Sequence, residues 1–223
     1  MARCGVRSRE ERWLHFNFMS TARGRFIVLE GADGSGKTTQ ATRLVEFLRA
    51  AGRDVVHVRD PGSTRVSEAV RAILLDPASG RLSVAAETYL YMAARSQLVA
   101  DVVEPALAAG RTVVCERWTY STEVYQGVAG RFGAGNVRRL GRLAEGAAAP
   151  DLTIVLDVAV GAGLARLARE HDRMESKGAR FHADVVRAYR RLAKGRARCV
   201  LVPPGTLDEV ADRVRREVAS LAA

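Results

Sequence analysis

The feature that most constrains this chain is a glycine-rich octapeptide that lies between a short apolar run and a helical pattern. Residues 31–38 read Gly-Ala-Asp-Gly-Ser-Gly-Lys-Thr, which matches the pattern G-x-x-x-x-G-K-[ST]. In such a segment the glycines let backbone N–H groups converge on a phosphate chain, and the N-terminus of the next helix adds its dipole. Lys37 is expected to reach the β- and γ-phosphates of a nucleoside triphosphate, and the Thr38 hydroxyl to bind Mg²⁺. The predicted nucleotide-binding residues are Gly31, Ala32, Asp33, Gly34, Ser35, Gly36, Lys37, Thr38 and Thr39.

Short apolar runs alternate with helical patterns along the rest of the chain. The predicted strands are Arg25–Glu30, Asp54–Val58, Thr112–Glu116, Asp151–Val158 and Arg198–Val202. The predicted helices are Thr38–Ala51, Arg65–Leu75, Ser83–Ala109 (kinked or broken at Pro105), Val137–Ala149, Gly163–Glu170, His182–Leu192 and Leu207–Leu221. This alternation predicts an α/β fold of the P-loop NTPase kind, with a doubly wound, five-stranded parallel sheet flanked by helices. The segments Gly127–Gly135 and His171–Arg180 are predicted loops.

Composition narrows the class of protein but not its reaction. The chain has 223 residues, of which 48% are hydrophobic and 27% charged, and this excludes low-complexity disorder for most of its length. Its apolar runs are far shorter than the roughly 20 residues of a membrane-spanning helix, so we expect no membrane partner. The net charge of +10 favours only a general attraction to polyanions, so we predict no nucleic-acid partner. The three cysteines lack metal-ligand spacing, which fits a reducing cytoplasm.

The first 24 residues differ in character from the rest of the chain. A polar, basic stretch precedes a few apolar residues that are too short and too interrupted for a secretory signal. We expect this segment to be an extension, with the natural start at Met19, and the folded domain to span residues 25–223.

Several later segments form a pattern that is specific in combination. Residues 60–64 read D-P-G-S-T, residues 93–97 A-A-R-S-Q, residues 121–126 S-T-E-V-Y-Q, residues 150–158 P-D-L-T-I-V-L-D-V, and residues 172–175 D-R-M-E. In this order and spacing the chain resembles the thymidylate kinase family of P-loop nucleoside monophosphate kinases, from about Phe26 to the last helix. The resemblance implies phosphorylation of dTMP to dTDP by ATP with Mg²⁺, a lid around residues 166–181, and a homodimer.

The resemblance also implies an acceptor site, formed by Asp33, Asp60, Tyr91, Arg95, Arg117, Ser121, Thr122, Tyr125 and Gln126. By similarity, Tyr91 stacks on thymine, Arg95 hydrogen-bonds a thymine carbonyl, and Thr122 lies at the base edge. Tyr125 packs under the deoxyribose and disfavours a 2′-hydroxyl, Arg117 holds the acceptor phosphate, and Asp33 meets the 3′-hydroxyl. Arg95 can donate to a carbonyl but cannot accept from an amino group, so it favours thymine or uracil over cytosine.

Each of these residues also has an ordinary structural interpretation. Asp33 fits a turn-forming aspartate, and Tyr91 fits a helix core. Arg95 fits a solvated surface side chain, and Arg117 fits an ion pair with the adjacent Glu116.

Phosphoryl transfer needs positive charge on the transferring group. Lys37 and Arg117 are predicted catalytic residues. Gly34 leaves no basic side chain in the loop ahead of the lysine, so the additional charge is expected from the lid. The candidate lid residues are Arg166, Arg169 and Arg173, of which Arg173 is the strongest. Glu116 joins Thr38 as a predicted metal residue.

The chain departs from the family pattern at two acidic positions. The family usually has Glu where Asp60 stands and Asp where Glu116 stands, and our hypothesis is that the two changes compensate for each other. Ser63 replaces a glycine and restricts that turn. These departures leave two alternatives open: a kinase for a related or modified pyrimidine nucleotide, with the Tyr91 hydroxyl reading a polar substituent on the base, and a nucleotide-binding module without turnover.

Overall fold

A five-stranded parallel sheet forms the centre of the computed structural model, which describes residues 23–160, 163 and 172–221. The strands are β1 (Phe26–Gly31), β2 (Val55–Arg59), β3 (Thr112–Glu116), β4 (Leu152–Leu156) and β5 (Cys199–Val202). Their order in the sheet is β2-β3-β1-β4-β5, and every pairing is parallel. The chain therefore reverses its direction of winding at β1, so that the predicted doubly wound sheet is confirmed. Crevices at such a reversal, outside the carboxyl ends of the strands, are where ligands bind.

Helices cover both faces of this sheet. They are α1 (Lys37–Ala50), α2 (Arg65–Leu75), α3 (Val84–Leu98), α4 (Glu104–Ala108), α5 (Thr119–Thr122), α6 (Ala134–Glu145), α7 (Ala179–Lys194) and α8 (Leu207–Ser220). Alternate residues of β1 divide the core: Leu29 packs with Leu44 of α1 on one face, and Val28 packs with Leu98 of α3 on the other. Because both faces are covered, β1 is buried along its whole length, as expected of a central parallel strand.

The long helix predicted for Ser83–Ala109 is interrupted, as the proline indicated. α3 ends at Leu98, a π-helical segment spans Val99–Val103, and α4 follows with Pro105 in its first turn. Proline has no N–H to donate, so the wider turn ahead of it accommodates the missing hydrogen bond without ending the helical path.

Among the described residues, two helical segments were not predicted: a 3₁₀ turn at Pro77–Ser79 and the segment that begins with α5. α5 continues directly into a π-helical segment, Glu123–Ala129, so the predicted loop Gly127–Gly135 is wrong at its start. α6 also begins at Ala134, ahead of the predicted Val137. The local sequence is rich in hydroxyl, β-branched and glycine residues, which are poor helix formers; the groups that start this helix are distant in sequence.

Three predictions concern residues that the structure does not describe. Of the predicted extension of 24 residues, residues 1–22 lie outside the described residues, as do the predicted helix beyond Gly163 and the side chains of Arg166 and Arg169. Of the described part of the predicted loop His171–Arg180, residues 173–176 form turns, and α7 begins at Ala179. Within residues 23–160 and 172–221, no helix is long and apolar enough to cross a membrane.

Candidate active site

A cavity of about 350 Å³ lies beside the carboxyl ends of β1, β2 and β3. It brings together most of the predicted nucleotide and acceptor residues, namely Asp33, Gly34, Gly36, Lys37, Thr38, Thr39, Asp60, Tyr91, Arg95, Glu116, Arg117, Ser121, Thr122, Tyr125 and Gln126. Gly31, Ala32 and Ser35 belong to the same loop but do not line the cavity. A single cavity therefore contains both the predicted phosphate-binding loop and the predicted acceptor residues.

The loop between β1 and α1 has the backbone that its glycines permit. Gly34 and Gly36 have φ angles of +71° and +90°, a region in which other residues are strained. Gly36 directly precedes the first turn of α1, whose free N–H groups suit an anion. The Lys37 ammonium donates to the carbonyls of Gly31 (2.9 Å) and Ala32 (2.8 Å). Burial, with the nearby charge of Arg117, lowers the pKa of Lys37 to about 7.

Two predicted metal residues meet at the mouth of this loop. The Thr38 hydroxyl donates to Glu116 Oε2 at 2.6 Å, and His57 Nε2 lies 3.1 Å from Glu116 Oε1. Burial opposes ionisation of Glu116, but the hydrogen bonds from His57 and Thr38 outweigh it and lower its pKa. Mg²⁺ is usually held by one or two protein oxygens together with phosphate oxygens and water, so this hydroxyl–carboxylate pair fits the ion. His57 was not among the predicted site residues, because its contact with Glu116 becomes recognisable only once β2 and β3 are paired.

Asp33 and Arg117 face each other across the cavity. Arg117 Nη2 forms an ion pair with Asp33 Oδ1, and the Tyr125 hydroxyl donates to Asp33 Oδ2 at 2.7 Å. Burial alone raises the pKa of Asp33, but Arg117, Lys37 and Tyr125 together lower it to about 2. The carboxylate is thus charged at neutral pH and its orientation is set by two partners. The interpretation of Arg117 as the ion-pair partner of Glu116 is wrong.

Arg95 belongs to the interior, so its interpretation as a solvated surface residue is also wrong. Its side chain is 1% exposed, and its Nε and Nη2 lie 2.7 Å and 2.6 Å from Asp60 Oδ2. Nη1 donates to Thr119 and Nη2 to Thr122, each at 3.0 Å. Arg95 therefore reaches the cavity as part of a buried, hydrogen-bonded cluster that also orients the Thr122 hydroxyl.

The two acidic positions that depart from the family pattern have different partners. The Asp60 carboxylate contacts Arg95, whereas that of Glu116 contacts Thr38 and His57. Only the backbone connects them, through the Asp60 N–H and the Glu116 carbonyl at 2.9 Å. Nothing in these contacts lets one change compensate for the other. Ser63 has a φ of +67°, so the turn needs the conformation that glycine adopts most easily.

The structure corrects the placement of Arg173, the strongest candidate from the lid. Its Nη1 donates to Glu87 Oε1 at 2.6 Å and its Nε to the Leu74 carbonyl at 2.8 Å, and it does not line the cavity. The reason is the Glu87 carboxylate of α3, which is 1% exposed and also accepts hydrogen bonds from Lys177 and Gln126. Arg173 therefore joins residues 172–178 to α3 in this structure.

Comparisons with known proteins agree with this geometry. A family model described as thymidylate kinase matches residues 29–213. A thymidylate kinase of Geobacter sulfurreducens is 44% identical over 173 residues, which cover 77% of this chain and 81% of that protein. One of Symbiobacterium thermophilum is 40% identical over 196 residues, covering 86% and 92%. The crystal structure of a thymidylate kinase from Ehrlichia chaffeensis superposes with a TM-score of 0.73 at 28% identity, covering 88% of this chain and 99% of that one.

Proposed function

Because the chain belongs to the thymidylate kinase family, we propose that it transfers the γ-phosphoryl group of ATP to dTMP, with dTDP and ADP as products. The observation that carries this proposal is the single cavity that Lys37 and Thr38 line together with Asp33, Arg117 and Tyr125. An arrangement that holds two phosphorylated substrates side by side suits a direct transfer between them.

In the proposed reaction an oxygen of the dTMP phosphate attacks the γ-phosphorus, and the bond from that phosphorus to the bridging oxygen of ADP breaks. Both reactants are anions, so the protein must bring them together against their repulsion. Arg117 is oriented toward the cavity by Asp33 and Tyr125 and is the group that would hold the acceptor phosphate. Lys37 would exchange its two carbonyl partners for phosphate oxygens.

Mg²⁺ is the proposed cofactor, and Thr38 and Glu116 are the residues that would hold it. When bound, it would neutralise charge on the phosphate chain. The hydrogen bonds from His57 and Thr38 keep the Glu116 carboxylate ionised and oriented. Arg166 and Arg169 remain candidates for the additional positive charge, since Arg173 is bound to Glu87.

A coupled assay of ADP release tests this proposal. ATP and Mg²⁺ are held constant while dTMP, dUMP, UMP, dCMP and dGMP are compared as acceptors. We expect the highest kcat/KM with dTMP, and no turnover with dCMP above background, because Arg95 has no acceptor to offer an amino group. Equal rates with all five monophosphates contradict the proposed acceptor site.

A second candidate function rests on Tyr91. Its ring is half-buried and lines the cavity, and among the described residues its hydroxyl has no hydrogen-bond partner. Aromatic hydroxyls that face a site usually find a partner, and a polar substituent on a modified pyrimidine would supply one. Weak turnover of dTMP, with faster turnover of a 5-hydroxymethylated pyrimidine monophosphate, favours this alternative.

We further propose a homodimer located in the cytoplasm. Large apolar side chains are exposed on three neighbouring helices, including Val66 and Ile73 of α2, Tyr89 of α3 and Leu143 of α6. Exposed apolar patches of this kind are typical of protein interfaces. Light scattering during size-exclusion chromatography distinguishes a dimer of this 24.2 kDa chain from a monomer.

A further inference from the structure

A buried carboxylate next to the phosphate loop has no part in the mechanism above. Glu30 is the penultimate residue of β1, and its side chain is 0% exposed. Burial raises the pKa of Glu30, and the hydrogen bond from Ser121 and the charge of Arg117 oppose that effect. A carboxylate in the protein interior is unfavourable unless donors surround it, so the donors around Glu30 indicate what it does.

Four donors converge on this carboxylate from two other elements. Oε1 accepts the backbone N–H groups of Trp118 (2.8 Å) and Ser121 (2.9 Å). Oε2 accepts the hydroxyls of Ser121 (2.6 Å) and Tyr189 (2.8 Å). Glu30 therefore caps the first turn of α5, which has no capping side chain of its own, and fixes it against α7.

Arg117 directly precedes the segment, residues 118–121, whose backbone donates hydrogen bonds to Glu30. Its backbone has a φ of +67°, a conformation that is strained for a non-glycine residue and persists only where the surrounding structure holds it. The Ser121 hydroxyl that donates to Glu30 also accepts Arg117 Nη1 at 3.2 Å. The same guanidinium forms the ion pair with Asp33. A short chain of hydrogen bonds thus leads from Glu30 through Ser121 to Arg117 and into the cavity.

We propose that Glu30 is a positioning residue that aims Arg117 at the acceptor phosphate, through the Ser121 hydroxyl and the backbone of residues 118–121. The inference rests on the proposed function, because it assigns Arg117 to the phosphate of the acceptor. Its specific consequence is that Glu30 affects the affinity for the monophosphate through Arg117 alone, and leaves the affinity for ATP nearly unchanged.

A double-mutant cycle between Glu30→Gln and Arg117→Ala tests this coupling. The glutamine side chain has the same size but no charge, and its NH₂ group cannot accept the Ser121 proton as Oε2 does, so the Ser121 hydroxyl is no longer held in place for Arg117 Nη1. In the otherwise unchanged protein, we expect Glu30→Gln to raise the dissociation constant for dTMP about tenfold. In the Arg117→Ala background the same change is expected to have less than about a twofold effect. Calorimetry measures both, so no turnover is needed.

Glu123→Gln is the matched control. Glu123 is a buried carboxylate of the neighbouring segment whose partners, Arg138 and Arg196, face away from the cavity. The Glu123→Gln substitution is expected to lower the unfolding temperature without changing the affinity for dTMP. It therefore distinguishes a general loss of stability from a loss of Arg117 positioning. Binding of a non-hydrolysable ATP analogue is expected to stay within about twofold in Glu30→Gln, because the hydrogen bonds of Lys37 and Thr38 go to Gly31, Ala32 and Glu116 and not to Glu30.

Two results overturn the inference. Equal losses of dTMP affinity in both backgrounds show that Glu30 does not act through Arg117, and an unchanged affinity in Glu30→Gln shows that it does not act at all. Failure of the proposed function has a different signature, namely an unmodified protein that prefers another monophosphate. The cycle is then run with that monophosphate, since Arg117 would hold the phosphate of any acceptor.

Discussion

The two walls of the active-site cavity are built in different ways. The phosphate-binding wall is one continuous segment between β1 and α1, and its shape follows from glycine backbone angles and from backbone groups. The acceptor wall is assembled from side chains of separate elements, which hold one another through the pair Asp60–Arg95 and hold the phosphate-binding wall through the pair Arg117–Asp33. The first wall binds with its main chain, whereas the second binds with side chains that are themselves buried and paired.

This difference predicts different consequences of mutation. On the phosphate-binding wall, the shape of the loop is set by the main chain, so a side chain such as Lys37 can be removed without leaving an unpaired charge in the core. On the acceptor wall, removal of one partner leaves the other buried and uncompensated, which costs stability as well as function. We therefore expect substitutions on the phosphate-binding wall to lower activity without lowering stability, and substitutions on the acceptor wall to lower both.

The largest expected effect belongs to the phosphate-binding wall. Lys37→Ala removes the ammonium next to the transferred group, so we expect kcat to fall on the order of 10³-fold. Because the amine is buried and its pKa is already low, the unfolding temperature should not fall. Steady-state kinetics and thermal unfolding of the same preparation measure both quantities. A clear loss of stability would contradict the contrast between the walls.

Arg95→Ala is the corresponding change on the acceptor wall. It leaves the Asp60 carboxylate fully buried without its cation, so we expect the free energy of unfolding to fall by about 3–5 kcal/mol. Affinity for dTMP should fall while affinity for ATP stays nearly constant. Chemical denaturation and calorimetry provide the measurements. A variant with normal stability would show that Asp60 relaxes into solvent, and equal losses of both substrates would place Arg95 elsewhere.

An intermediate effect is expected where the walls meet. Glu116→Asp withdraws the carboxylate from Thr38 and His57, and we expect kcat/KM to fall about tenfold, because the shorter side chain presents its carboxylate less well to Mg²⁺. Asp60→Glu adds a methylene at a 0% exposed position and should cost about 1–3 kcal/mol of stability. Since the two carboxylates have separate partners, their effects should add in the double variant. Restored activity in the double variant would support compensation after all.

The smallest expected effect is the uptake of a proton by Lys37 when ATP binds. With a pKa of about 7, Lys37 is mostly neutral at pH 8 in the free enzyme, and bound phosphates raise that pKa. ATP binding at pH 8 should therefore take up close to one proton, and this part of the affinity should decline as the pH rises above 7. Calorimetry in two buffers of different ionisation enthalpy measures the uptake. Lys37→Arg stays protonated and should abolish it; an uptake that persists would have another source.

The phosphate-binding wall could be predicted from the sequence, whereas much of the acceptor wall could not. The strand–loop–helix unit around residues 26–50 was predicted nearly to the residue, because apolar runs, glycines and a helical pattern are local signals. The helix around residues 119–129 was missed, since its start depends on Glu30, which lies about 90 residues earlier in the chain. Arg173 was assigned to phosphate on its motif alone, and the competing carboxylate of Glu87 is recognisable only after α3 packs against residues 172–178.

The amino-acid sequence by itself determined the order of strands and helices, the phosphate-binding loop and the family, because each depends on patterns a few residues long or on motif order. The tertiary structure decided which charges pair. It assigned Asp33 to Arg117, Asp60 to Arg95 and Arg173 to Glu87. The physical reason is that a buried charge must find a partner within hydrogen-bonding distance, and that partner is set by how the elements pack rather than by their separation along the chain.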